Sequence, residues 1–74
     1  MKTVRSLGLR AQQLRAAAGL SQQQVADEAY VSRKWLNEFE RGKPTVETSR
    51  VLAVFQVLGY ELDLVPIVDP EVEL

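Results

Sequence analysis

Seventy-four residues make one small domain with a modest core, since a chain of this size buries only about 60% of its unfolded surface. The absence of Cys and His excludes disulfides, thiolate and imidazole metal sites and Cys or His nucleophiles, and no apolar run reaches the roughly 18 residues of a membrane span. The formal charge of −1 conceals a division: residues 1–59 carry all nine bases and five acids, a net of +4, whereas residues 60–74 carry five acids and no base.

Phosphate contacts are local, so a basic body with an acidic end suits a nucleic-acid binder whose end does something else. Ordinary solvated charge accounts for the division equally well on this ground alone. Without disulfides or metal, close helix packing or a second copy of the chain must supply stability. Met1-Lys2-Thr3-Val4-Arg5-Ser6 lacks a secretory apolar region, so a cytoplasmic protein is expected.

Thr3 to Ala18 places Leu7, Ala11, Leu14 and Ala18 on one helical stripe and predicts a first helix stopped by Gly19. Gly8 inside it weakens the helix by up to about 1 kcal/mol relative to Ala. Ser21-Gln22-Gln23-Gln24 is a capping box opening a second helix, Gln22 to Ala29, with Val25, Ala26 and Ala29 apolar. Ala26 is small where two helices approach closely. Ser32 caps a third helix from Arg33 to about Arg41, with Leu36 and Phe39 inward and Gly42 ending it. After the connector Lys43-Pro44, Thr45 caps a fourth helix, Val46 to Leu58. Glu47 in its first turn suits the helix dipole. Its expected stripe is Val51, Leu52, Phe55 and Leu58, and Gly59 stops it.

Beyond Gly59 the period falls to two: Tyr60, Leu62 and Leu64 alternate with Glu61, Asp63 and Val65, a strand closed by Pro66. A lone strand cannot satisfy its backbone groups, and its natural partner is the same strand of a second subunit. Residues 67–74 read as an acidic tail. The expected division is 1–59, a helix-turn-helix domain; 60–66, a dimerisation strand; and 67–74, the tail.

Two short helices with a three-residue break, the second opening on Arg33 and Lys34, form a helix-turn-helix. Leu20-Ser21-Gln22-Gln23-Gln24-Val25-Ala26, Val31-Ser32 and Leu36-Asn37-Glu38-Phe39-Glu40-Arg41-Gly42 resemble the Cro/phage-repressor (XRE-type) DNA-binding family over roughly residues 5–59. Arg41-Gly42-Lys43-Pro44-Thr45 and Leu58-Gly59-Tyr60-Glu61-Leu62-Asp63-Leu64 look like its HipB-type antitoxin branch. The resemblance implies an all-α, lambda-repressor-like bundle of four to five helices plus one C-terminal β-strand pairing across a dimer. It further implies a repressor that autoregulates its operon and binds a HipA-like kinase toxin.

In such a fold the first residues of the third helix reach base edges in the major groove. Arg33 can read guanine bidentately, Lys34 less directionally, and Asn37 can read adenine. Glu38 accepts from cytosine N4 or pairs with Lys34 at i, i+4, and the intrahelical pair is favoured. The resemblance implies that Gln22 clamps a phosphate and braces the recognition helix; a helix N-terminus is chemically suited to phosphate. Ser32 can add a hydroxyl contact. Arg41 and Lys43 flank the helix as phosphate contacts or, failing that, as solvated loop cations. The resemblance places Arg15 and Glu40 as an internal ion pair. Trp35 either packs over the fourth helix or meets a thymine methyl, and an aromatic more often packs. Tyr30 stands where the family usually has Gly; a left-handed backbone there costs roughly 1–2 kcal/mol. Phe55, Leu58, Tyr60, Leu62 and Leu64 are the expected dimer residues.

Gly42-Lys43-Pro44-Thr45 lacks the upstream Gly and preceding strand of a phosphate-binding loop. Glu38 and Glu40 at i, i+2 do not face each other. No enzyme site, metal or cofactor is expected. The leading expectation is a homodimer bound to a near-palindromic duplex operator, away from membranes. The alternatives are a protein-interaction module using the helix-turn-helix as scaffold, and a stand-alone repressor without a toxin.

Overall fold

In a computed structural model that describes residues 4–43 and 47–62, four helices follow one another. They are α1 (Val4–Ala17), α2 (Gln22–Ala29), α3 (Arg33–Glu40) and α4 (Thr48–Val57). The middle two start where their serines predict. Ser21 Oγ accepts from the Gln24 N–H at 3.0 Å, and the Ser21 N–H donates back to Gln24 Oε1 at 2.8 Å, a complete capping box. Ser32 Oγ accepts from the Trp35 N–H at 2.9 Å.

Leu36 and Phe39 of α3 are almost fully buried beneath α1 and α2, joined by Ala11, Val25, Ala26 and Ala29. Val51, Val54 and Phe55 of α4 close the core from the α2 side. Each such side chain larger than Ala contributes about 1.5–3 kcal/mol relative to exposure.

Gly8 is buried and is required for the packing. A Cβ at that position would run into the Phe39 backbone carbonyl, so the missing side chain lets α1 lie directly against the last turn of α3. The helix-propensity penalty at Gly8 is offset by this approach, which a propensity argument does not register.

The four helices end alike. After α1, α3 and α4 the chain reverses through Gly19, Gly42 and Gly59 at positive φ. After α2 the same reversal falls on Tyr30, at φ 58° and ψ 41°. There the Val31 N–H donates to the Ala26 carbonyl at 3.0 Å, closing the turn as a glycine would. Tyr30 is 94% exposed, so no packing offsets the strain of a left-handed non-glycine residue.

Several expectations are corrected. Helix α1 ends at Ala17, and Ala18 is exposed beyond it rather than on the apolar stripe. Helix α3, by contrast, ends as expected, at Glu40 with Arg41 as its C-cap. Helix α4 begins at Thr48 with Glu47 as its N-cap residue, so the cap is not Thr45; Thr45 and Val46 lie outside the described residues. Leu58 is the C-cap of α4 rather than its last turn. The inward stripe of α4 includes Val54, fully buried, while Leu52 faces out at 39% exposure. Residues i, i+3 and i+4 from Val51 share one face, and Leu52 falls off it. Phe55, expected at the dimer surface, is 3% exposed and packs in the protomer's own core. Tyr60, Glu61 and Leu62 pair with no strand among the described residues of the same chain, so the expected pairing is left to a second subunit; the remainder of that expected strand and the tail lie outside the described residues, as does Leu64.

Two substitutions should move stability in opposite directions. Gly8→Ala should lower it by an amount at the upper end of the roughly 1–3 kcal/mol typical of overpacking. Tyr30→Gly should raise it by about 1 kcal/mol by removing the left-handed strain. Urea midpoints at constant slope read both, and an unchanged midpoint for Gly8→Ala would contradict the close approach of α1 and α3.

Candidate nucleic-acid interface

The buried underside of α3 decides which side chains face outward. With Leu36, Phe39 and Glu40 beneath, Arg33 and Lys34 are exposed and Asn37 and Glu38 are half-buried along the outer flank. Among the described residues neither Arg33 nor Lys34 forms an ion pair. Arg33, Lys34, Asn37 and the α2 residue Gln22 line one shallow depression. Three of the four residues expected to read bases are therefore brought together, beside one expected to touch phosphate.

A polar network under that depression fixes the tilt of α3. Arg15 Nε donates to Glu40 Oε2 at 2.7 Å, and Arg15 Nη2 donates to Glu40 Oε1 at 3.0 Å. The third arm of the fork, Nη1, donates to the Leu20 carbonyl at 2.9 Å, at the entry to α2. Glu40 is 1% exposed and the Arg15 side chain 16%. A carboxylate so deeply placed needs both the cation and further donors to offset desolvation. Gln22 Nε2 supplies one, donating to Glu40 Oε1 at 3.0 Å and to Asn37 Oδ1 at 3.2 Å. No described buried side-chain polar atom lacks a partner. Gln22 thus braces α3, and it holds Asn37 in one orientation. The Asn37 oxygen keeps a second lone pair, and its amide protons remain available.

Trp35 packs. Its ring stacks on Phe39 with centroids 5.2 Å apart, and the Arg50 guanidinium of α4 lies 6.0 Å from its centroid. Half-buried there, Trp35 ties α3 to α4. Arg50 is a contact that sequence reasoning missed, because nothing local links residues 35 and 50.

Glu38 is also corrected. Its partner is Lys43, whose Nζ lies 2.8 Å from Glu38 Oε2, and not Lys34. The reversal at Gly42 folds the connector back, so that the Lys43 N–H donates to the Glu38 carbonyl at 3.0 Å and the two side chains meet. The hydrogen bond from Lys43 holds the Glu38 carboxyl below its usual range, and the charges of Lys43 and Lys34 act the same way against slight desolvation. A depressed carboxylate pKa favours the fold above about 4.5, and that small contribution is lost as pH falls through the lowered value.

Arg41 and Lys43 are exposed at the C-terminal end of α3, and with Arg5, Glu38 and Gly42 they line a second depression. Arg5 is the other residue missed from sequence, since it lies far from Gly42 along the chain. Ser32 is exposed; its oxygen serves the cap, which leaves the hydroxyl proton to donate elsewhere. Among the described residues no cluster of acids could hold a metal, and no helix is long and apolar enough to cross a membrane.

A family profile described as a helix-turn-helix domain matches residues 6–66. A protein of Sinorhizobium fredii (strain NBRC 101917 / NGR234), titled "Uncharacterized HTH-type transcriptional regulator y4mF", is 33% identical over 64 residues. That match covers 86% of this chain and 84% of the relative. No solved structure matches the chain.

Removing one partner of the buried pair tests the network. Glu40→Gln should lower stability by roughly 3–5 kcal/mol, since it leaves the Arg15 cation uncompensated. Thermal unfolding of the variant measures this, and a melting temperature equal to the parent's would contradict a load on Glu40.

Proposed function

From the premise that this chain belongs to the helix-turn-helix domain family, we propose that it is a sequence-specific, DNA-binding transcriptional regulator. The observation that carries the reading is the outward flank of α3. Arg33 and Lys34 stand exposed at its first turn beside Asn37, on a helix clamped from below by Arg15, Glu40 and Gln22. A side chain reads base edges only if the backbone presenting it holds one orientation, and this network provides that. Gln22, Ser32, Arg41 and Lys43 flank the reading residues, where phosphates of a bound groove would pass. The relative's title, a transcriptional regulator, agrees with this assignment.

The finer reading is a homodimeric repressor. Leu52, Tyr60 and Leu62 are exposed apolar side chains near the end of α4, and Leu52, Gln56, Glu61 and Leu62 line one depression. Such a surface supports self-association, with Leu58 and the segment from Tyr60 to Val65 as the contact. A two-fold dimer would read a near-palindromic site with half-sites about 34 Å apart. The HipB-type resemblance of residues 58–64 supports an antitoxin that represses its own operon and binds a HipA-like kinase toxin. The role is one of binding, with no catalytic step and no cofactor, and it is carried out in the cytoplasm.

The test is fluorescence anisotropy on the duplex upstream of the protein's own gene. Affinity should fall about 10³–10⁵-fold between 50 and 200 mM salt if some six to ten phosphates are contacted by the dimer. Joint substitution Arg33→Ala and Lys34→Ala should abolish selectivity for that duplex while leaving the fold and solution mass unchanged. Equal binding of promoter and scrambled duplexes by the parent protein would refute sequence-specific regulation.

A further inference from the structure

Glu38 is a carboxylate on the face of α3 that the DNA reading turns toward a polyanion, and its surroundings are unusual. Lys43 Nζ lies 2.8 Å from Oε2, and Lys34 acts on the same group from further off. Arg5 and Arg41 line the same depression. Gly42 makes this convergence possible: a Cβ there would meet Arg5 Cγ at 2.8 Å and Nε at 3.3 Å, so its bareness leaves room for the arginine stem. Cations from the start of α1, the C-cap of α3 and the following connector are thus gathered around one acid.

We propose that Glu38 is a resident counter-ion that holds Lys43 where a DNA phosphate oxygen would otherwise take it, so that non-sequence-matched duplexes are gripped weakly. The inference rests on the DNA-binding reading and refines its specificity. A phosphate contact carries no sequence information, so a free lysine at this place would strengthen binding to every duplex alike. With Glu38 in place, a phosphate must displace the carboxylate from Lys43 or approach it within a Debye length of about 8 Å, where the like charges repel. The displaced carboxylate needs a donor. In the major groove the exocyclic amino group of cytosine, or of adenine, is such a donor, and most other base-edge atoms are acceptors. Lys43 is therefore released fully only beside a base that Glu38 can accept from. Lys43 is exposed and Glu38 only partly covered, so the pair adds little to folding.

The test is a double-mutant cycle read by anisotropy on a scrambled duplex and on the promoter duplex, across a salt series. Glu38→Gln keeps the shape and removes the charge. It should raise affinity for the scrambled duplex roughly tenfold and steepen the salt dependence by about 0.9, the equivalent of one more phosphate contact. Promoter affinity should change less, so selectivity falls. In a Lys43→Gln background the same substitution should add less than about threefold, because the cation it would release is gone. Far-UV melting confirms that each variant is folded. Equal strengthening in both backgrounds would mean a general charge effect, and no strengthening would mean no competition; either overturns the proposal. Failure of the parent protein to bind either duplex would instead remove the DNA reading itself, and this inference with it.

Discussion

A buried carboxylate is tolerated only when a cation and donors surround it, and Glu40 meets that condition through residues from two other helices. Arg15 arrives from α1, Gln22 from the first turn of α2, and the Leu20 carbonyl receives the remaining arm of the arginine fork. The pair is directional as well as attractive. A planar guanidinium bound bidentately to a carboxylate permits one relative orientation of the helices that carry them. Nearby, Gly8 lets α1 approach the backbone of α3 with no side chain between. The pose of the recognition helix is set by this polar fork and this bare contact more than by the bulk of the core, which any apolar residues of suitable volume could fill.

The outward chemistry follows from that constraint. Because Glu40 and Leu36 point down, Arg33 and Lys34 point out, and because Gln22 reaches Asn37, that side chain is held as well. Trp35 fills the gap toward α4 instead of reaching for the groove. The C-terminal end of α3 carries the other half of the face, where the turn at Gly42 brings Lys43 back onto Glu38. One end of the helix thus offers open cations and the other offers a cation already engaged.

Local signals were the most readable part of the chain. Ser21, Gln24 and Ser32 announce their caps because a cap is made within three residues, and both starts are found where they were expected. The start of α4 was misplaced because Glu47 serves as its N-cap residue without a side-chain cap bond, leaving no local chemistry to mark it. The phase of α4 slipped for a related reason: Val51, Leu52, Val54 and Phe55 are all apolar, and periodicity alone cannot say which of them is outside. Tyr30 could be singled out as an odd residue for its turn, and it does occupy the left-handed region. Long-range partners were beyond reach from residue patterns. Arg5 over Gly42, Arg50 over Trp35 and the purpose of Gly8 all depend on how distant segments meet. Arg15 with Glu40 was reached only through family resemblance.

The central claim is that the flank of α3 opening at Arg33 meets DNA while the fork beneath it stays closed. Nuclear magnetic resonance of the arginine side-chain Nε–H groups, with and without the promoter duplex, tests it most directly. The account predicts large shifts and contacts to major-groove base protons for Arg33, with the Arg15 signal strongly hydrogen-bonded in both states and scarcely moved. Perturbations centred on α4, or an Arg15 signal that loses its bond to Glu40 on binding, would contradict it.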